Sequence, residues 1–219
     1  MESKEIIDIL YKKFDNAIEV SINDEILDLC KKFASAVNPT TRYDDCGQND
    51  MDKRYIDNLI GKISEFAVYG ILNSIGKENN FEVNRPDINI YKGKKKSWKS
   101  DLSIIATDNE INMAVKSQTL SQALKYSFSG TFQAASFRRD AALDNSNEII
   151  FLCLVDDSSD YKKTLVLPPK KISDIKMSDP KLPKFRGIKI CYYAKENFEQ
   201  EVIVDWLNKF GVKKLDKIL

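Results

Sequence analysis

Residues 148–155, EIIFLCLV, constrain the fold more than any other stretch of this chain. After the glutamate every position is apolar, the run is too short for a helix of ordinary length, and β-branched residues open and close it. Such a run reads as a buried strand. Helical patterns lie upstream of it. Ile6, Ile7, Leu10 and Phe14, and then Ile26, Leu27, Cys30 and Phe33, recur at helical spacing over the first 35 residues. A longer helix is expected from about Lys53 to Ile75, with Ile56, Leu59, Ile60, Ile63, Ala67, Gly70 and Ile71 on one face and Gly76–Asn80 stopping it. Between these helices, residues 38–53 are polar and rich in turn formers.

Downstream, FEVNRPDINIY, SWKSDLSIIA and INMAVKSQ read as three strands, and residues 119–146 as a mixed, partly helical segment. TLVLP and IKICYYA are further strand candidates, and EQEVIVDWLNKFGVKKLDKI closes as a helix. This order predicts an α/β fold in a single domain over residues 1–219, with a helical extension over 1–50 and a core over 51–219. At 219 residues the chain is long enough for one sizeable core.

The chain contains no histidine. That excludes His-activated hydrolases, His-ligated zinc and any mechanism using imidazole as the proton shuttle. Acid–base or metal chemistry must come from carboxylates, lysine, tyrosine or backbone oxygen. Cys30, Cys46, Cys153 and Cys191 show no metal-ligand spacing, and Cys153 and Cys191 sit inside apolar runs where a free thiol behaves as a small hydrophobe. The acidic, amphipathic start is unlike a signal peptide, and nowhere do 18 apolar residues run together, so an intracellular, cytoplasmic protein with no membrane partner is expected.

Net charge is +1, but residues 1–60 hold 13 acids against 8 bases. The remainder is therefore basic, with knots at YKGKKKSWKS (91–100) and along 160–190. Taken singly, each run reads as solvated loop charge; together they suit one positive face toward a polyanion.

The chemistry concentrates in DLSIIA (101–106), TDNE (107–110) and INMAVK (111–116). A hairpin turn centred between Asp108 and Asn109 sets Asp101 opposite Lys116 and Ser103 opposite Ala114. Opposed residues share a face of the sheet, so a carboxylate and an ammonium are predicted side by side near the open end of the hairpin. Leu102, Ile104, Met113 and Val115 point to the other face and suit a core. Glu65 lies off the Ile56–Ile60–Ile63 stripe of the long helix, but Val68 and Leu72 follow it at i+3 and i+7. It is therefore at the rim of a buried face or committed to a metal or water.

The segments SEFAVYGIL (64–72), RPDINIY (85–91), KSDLSI (99–104) and MAVKSQ (113–118), followed by EIIFLCLV, resemble the PD-(D/E)XK nuclease superfamily. They span about residues 60–156 in that superfamily's order of elements. The resemblance implies a restriction-endonuclease-like core, a central mixed β-sheet flanked by helices. It implies a Mg²⁺-dependent endodeoxyribonuclease, with Mn²⁺ as a substitute ion, hydrolysing double-stranded DNA. The setting implied is a type II restriction endonuclease acting as a homodimer, bacterial or phage-encoded. Asp101 would be the main metal ligand, the Val115 carbonyl a second and Glu65 a third. Lys116 would orient water and stabilise charge on phosphate, and Gln118 would hydrogen-bond water or a phosphate oxygen.

The acid expected two residues before the lysine is missing, and Ala114 stands there. Three accounts remain open: an acid that has moved, to Glu65 or next to Asp87; an engineered inactive form; or a nuclease fold retired to DNA binding. A branched-DNA or repair nuclease on the same fold is a further alternative. Asp87 is otherwise read as a structural group. For DNA contact the candidates are Lys94, Lys95, Lys96, Gln133, Arg138 and Arg139, together with the basic 162–189 stretch. Tyr126, Phe128, Phe132 and Phe137 read as core rather than base-stacking platforms.

Overall fold

In a computed structural model the described residues are 1–40, 50–91, 100–135, 139–145 and 148–211. The helices are α1 (Ser3–Lys13), α2 (Asp24–Val37), α3 (Met51–Asn79), α4 (Leu120–Tyr126), α5 (Ala194–Asn197) and α6 (Gln200–Lys209). The strands are β1 (Ile18–Ser21), β2 (Leu102–Ile105), β3 (Glu110–Thr119), β4 (Ser129–Gln133), β5 (Ile149–Val155), β6 (Lys163–Val166), β7 (Lys170–Lys171) and β8 (Lys189–Tyr193).

Every residue of β5 is buried, because both of its faces are covered. Ile149, Phe151, Cys153 and Val155 pack into one apolar cluster with α1, α2 and α3. Ile150, Leu152 and Leu154 pack into a second with α4, β4, β8 and α6. The main sheet runs β1-β6-β5-β3-β2, with β7 also against β5, and a separate two-stranded sheet joins β4 to β8. β3 and β5 are parallel, while β1–β6, β2–β3, β5–β6 and β5–β7 are antiparallel. The fold is thus a mixed α/β sheet with flanking helices. Pro168 and Pro169, which have no N–H to donate, separate β6 from β7 along the same edge of β5. No helix among the described residues is long and apolar enough to cross a membrane.

The first 40 residues are built into this body. β1 is a strand of the main sheet, and Ile6, Leu10, Phe14, Leu27 and Cys30 belong to the same cluster as Phe151. Helix α3 starts at Asp50, whose carboxylate accepts the N–H groups of Asp52 and Lys53. It ends at Asn79 within the expected Gly76–Asn80 stop, with Asn80 as its cap in the left-handed conformation at φ 59°. Gly76 must be glycine: its carbonyl accepts the Phe81 N–H at 3.0 Å, and a Cβ on it would lie 2.5 Å from the Phe81 carbonyl oxygen.

Residues 81–91, expected as a strand, form only a single bridge, Val83 to Ile104. Pro86 cannot donate to a ladder, and Asp87 folds the chain locally by accepting from the Asn89 N–H, the Asn89 amide and the Tyr91 hydroxyl. The expected run of three strands is therefore two, β2 and β3. IKICYYA forms β8, away from the main sheet. The expected closing helix is described over α6, and residues 212–219 lie outside the described residues.

The hairpin register is shifted by two residues from the expected one. Leu102 pairs with Met113 and Ser103 with Asn112, so Asp101 is carried beside Ala114 rather than Lys116. The tip is drawn onto the start of α1: Asp108 Oδ1 accepts from the Ser3 N–H at 2.7 Å and its hydroxyl at 2.6 Å, and Thr107 N–H donates to the Met1 carbonyl. A two-residue slip preserves sidedness, so Asp101 and Lys116 remain on one face.

In the layer beneath that face, Gly130 lies against Tyr192, where a Cβ would fall 2.2 Å from the ring. Gly130→Ala should lower stability by about 1–3 kcal/mol in urea unfolding, since the buried ring has nowhere to retreat.

Candidate functional site

β2 begins only at Leu102, opposite Met113, while β3 continues to Thr119, so the far half of β3 lacks β2 on that edge. The Asp101 side chain fills the gap, its Oδ2 accepting the Val115 N–H at 2.7 Å. An antiparallel ladder turns a residue's N–H and C=O toward the same neighbour, so the Val115 carbonyl opens to the same edge. No donor among the described residues reaches the other oxygen of Asp101.

This edge forms the floor of a cleft of about 1230 Å³, lined by Asp101, Ala114, Lys116, Asp140, Glu148 and the irregular 84–91 segment among others. Burial raises the Asp101 carboxyl above its ordinary range. Lys116, the Val115 N–H and Lys62 pull it back, and Asp140 pushes with burial.

Lys116 is held firmly. Its Nζ lies 2.7 Å from Asp140 Oδ2 and 4.6 Å from the centre of the Phe132 ring. Asp140 is itself fixed: its N–H donates to the Gln133 carbonyl, and its Oδ1 accepts the Ala142 N–H. Glu148 stands at the head of β5, 6% exposed. Burial chiefly, then the charges of Asp140 and Asp101, push its carboxyl up to about 7, with Lys116 opposing. Ala114 is buried with its methyl in the second apolar cluster.

Glu65 stands close behind this group without lining the cleft. Lys62 Nζ lies 2.6 Å from Glu65 Oε2, donates to the Asp87 carbonyl at 2.7 Å and sits 4.7 Å over the Phe33 ring. Burial pushes Glu65 up to about 8, reinforced by Asp101 and opposed by Lys62. Asp87 is saturated: burial would raise it, but the Tyr91 hydroxyl and the Asn89 donors outweigh that and hold it below the usual carboxylate range.

Gln118 does not join the cleft. It is buried, its Nε2 donates to the Ser127 carbonyl at 3.2 Å and its Oε1 accepts the Ser129 N–H at 3.0 Å, clamping the turn from α4 to β4. Ser127 in that turn has φ 75°.

Of the residues expected to touch DNA, Lys94, Lys95, Lys96 and Arg138 lie outside the described residues, as does Phe137. Arg139 is near the cleft but pairs with Asp144 at 2.6 Å, and Gln133 has its side-chain oxygen buried without a partner. In the basic stretch Lys162 pairs with Asp24 at 2.8 Å. Phe128 and Phe132 are core, whereas Tyr126 is 44% exposed, with Lys125 over its ring.

Asp140, Glu148 and Lys62 escaped the sequence reading. Glu148 had a signal, an acid opening a wholly apolar strand. Lys62 stands three residues before Glu65 on the expected helix, a spacing that can carry an ion pair, whereas Asp140 had no signal, its partner Lys116 being 24 residues away in sequence.

The oxygen-only donor set, with no histidine, suits a hard divalent ion. Among the described residues no three carboxylate or thiol side chains converge tightly enough to enclose one. An ion taken here would keep much of its water, as Mg²⁺ does and structural zinc does not. Comparison with protein-family models, curated proteins and solved structures finds no match for this chain.

The raised Glu65 carboxyl has a stability consequence. The folded state holds that proton more tightly than the unfolded chain, so the contribution is full below about pH 4.5 and lost as pH rises through about 8. With chelator present, the wild type should lose on the order of 2–4 kcal/mol more than Glu65→Gln between pH 5 and 8.5, measured by urea unfolding.

Proposed function

We propose that the chain is a Mg²⁺-dependent endodeoxyribonuclease with a restriction-endonuclease-like core, acting on double-stranded DNA. The observation that carries the reading is the placement of Asp101 and Lys116 on one face of the β2–β3 hairpin, lining the same cleft. Asp101 and the Val115 carbonyl would hold the ion, and Mn²⁺ would substitute. When bound, the ion supplies a positive charge that activates water and neutralises charge developing on phosphate.

Lys116 is the chain's own cation at the reacting phosphate. Asp140 and the Phe132 ring hold it in place, so its share is positioning and charge stabilisation. Glu65 and Lys62 fasten the 84–91 wall to α3 through the Asp87 carbonyl. Gln133, Arg139 and the lysines of residues 92–99 and 162–189 supply phosphate and base contacts. Cutting both strands calls for two copies of the site, hence a homodimer. A type II restriction endonuclease is the setting that best joins these features.

A second reading is favoured by Ala114 and by the tight Lys116–Asp140 pair: a DNA-binding module that no longer cuts. Incubation of supercoiled plasmid with Mg²⁺ or Mn²⁺ separates the two. Wild type should nick or linearise it, and Asp101→Ala and Lys116→Ala should each lower the rate at least ~100-fold. Cleavage surviving both substitutions overturns the site. Salt-sensitive binding with no cleavage by the wild type establishes the second reading instead.

A further inference from the structure

Glu148 is a carboxylate without a protein partner. It is 6% exposed, lines the cleft, and accepts no hydrogen bond from any donor among the described residues. Its backbone is tied at both ends: the N–H donates to the Asn145 carbonyl at 3.0 Å, and the carbonyl accepts the Ile172 N–H at 2.9 Å. The side chain is therefore mounted on a fixed base. Burying an acid this far without a hydrogen-bond donor is unfavourable for its charged form, and a cation entering the cleft would relieve that cost. Lys116, the ammonium facing it, already binds Asp140 at 2.7 Å.

Pairing decides where that cation belongs. Parallel register sets Met113 beside Ile149, which brings Glu148 level with Asn112 on the face that carries Ala114. Continuing the β2–β3 register one step brings Asp101 to the other flank of Ala114. Two carboxylates thus overlook one methyl group from neighbouring strands, and each has an oxygen with no protein donor.

We propose that Glu148 is the second carboxylate of the cation site, holding one hydrated divalent ion jointly with Asp101 across Ala114. This assignment rests on the nuclease reading for the ion and deepens it by supplying the acid that position 114 lacks. The carboxylate comes from the adjacent parallel strand instead of from β3.

The test is Mn²⁺ binding to the full chain without DNA, followed by electron paramagnetic resonance and calorimetry, with folding checked by circular dichroism. Wild type should bind Mn²⁺. Glu148→Gln and Asp101→Asn should each weaken binding at least ~10-fold, while Glu82→Gln, at an exposed position, should not. The double variant Ala114→Glu/Glu148→Ala should recover affinity to within a few-fold of wild type, since the acid is only remounted. If Glu148→Gln melts early, Glu148→Asp serves: it keeps the charge but withdraws it by one methylene, and binding should weaken. Wild-type affinity in a folded Glu148 variant, with loss in Asp101→Asn, overturns the role of Glu148 and leaves the ion on Asp101. A wild type that binds no Mn²⁺ removes the ion from the proposed function itself.

Discussion

The burial of β5 on both faces is the constraint on which the rest depends. A strand with no polar face turns the main sheet into a partition between two apolar layers, one built from α1, α2 and α3 and the other from α4, β4, β8 and α6. Charge is excluded from the middle of such a partition. It gathers where β2 stops short and β3 runs on, because backbone groups there need partners and water can reach them. Asp101 meets that need with its bond to the Val115 N–H. The same break in pairing that makes the edge costly makes it chemically useful.

The electrostatics of this edge are lopsided. Six acids, Asp87, Asp101, Glu110, Asp140, Glu148 and Glu65, stand against three cations, Lys116, Lys62 and Arg85. Each ammonium is bound at short range to one acid, Lys116 to Asp140 and Lys62 to Glu65. Asp101 and Glu148 are left to repel one another in a poorly solvated corner, with burial raising both. That imbalance leaves the edge with an excess of acidic groups. The sign of the chain as a whole says nothing of it: the net charge is +1.

Much of this was legible in the sequence, and the gaps have identifiable causes. The helical stripes of α1, α2 and α3 and the apolar run of β5 follow from periodicity. So does the shared face of Asp101 and Lys116, because sidedness survives a slip of two. The register itself was hidden, being set by the grip of Ser3 on Asp108 across 105 residues. β1 escaped because IEVS is only four residues long and half exposed. The stretch 81–91 looked like a strand by composition, but Pro86 and the bonds drawn in by Asp87 outweighed its β-branched residues. Gln118 shared the face of Lys116, as expected, yet the turn over Ser127 claimed both ends of its amide. Glu148 needed knowledge of which strand lies beside β3, and parallel pairing leaves no local mark in a sequence.

The partition has a bearing on how such a chain can diverge. Odd-numbered residues of β5 answer to the helices; Phe151 meets the Phe14 ring at 5.4 Å. Even-numbered residues answer to the layer that includes Phe132, the ring beneath Lys116. Consecutive codons therefore belong to separate packing neighbourhoods, and compensating substitutions on one side leave the other undisturbed. A lineage can remodel the cleft-bearing half while its helical half keeps time with an older set of contacts.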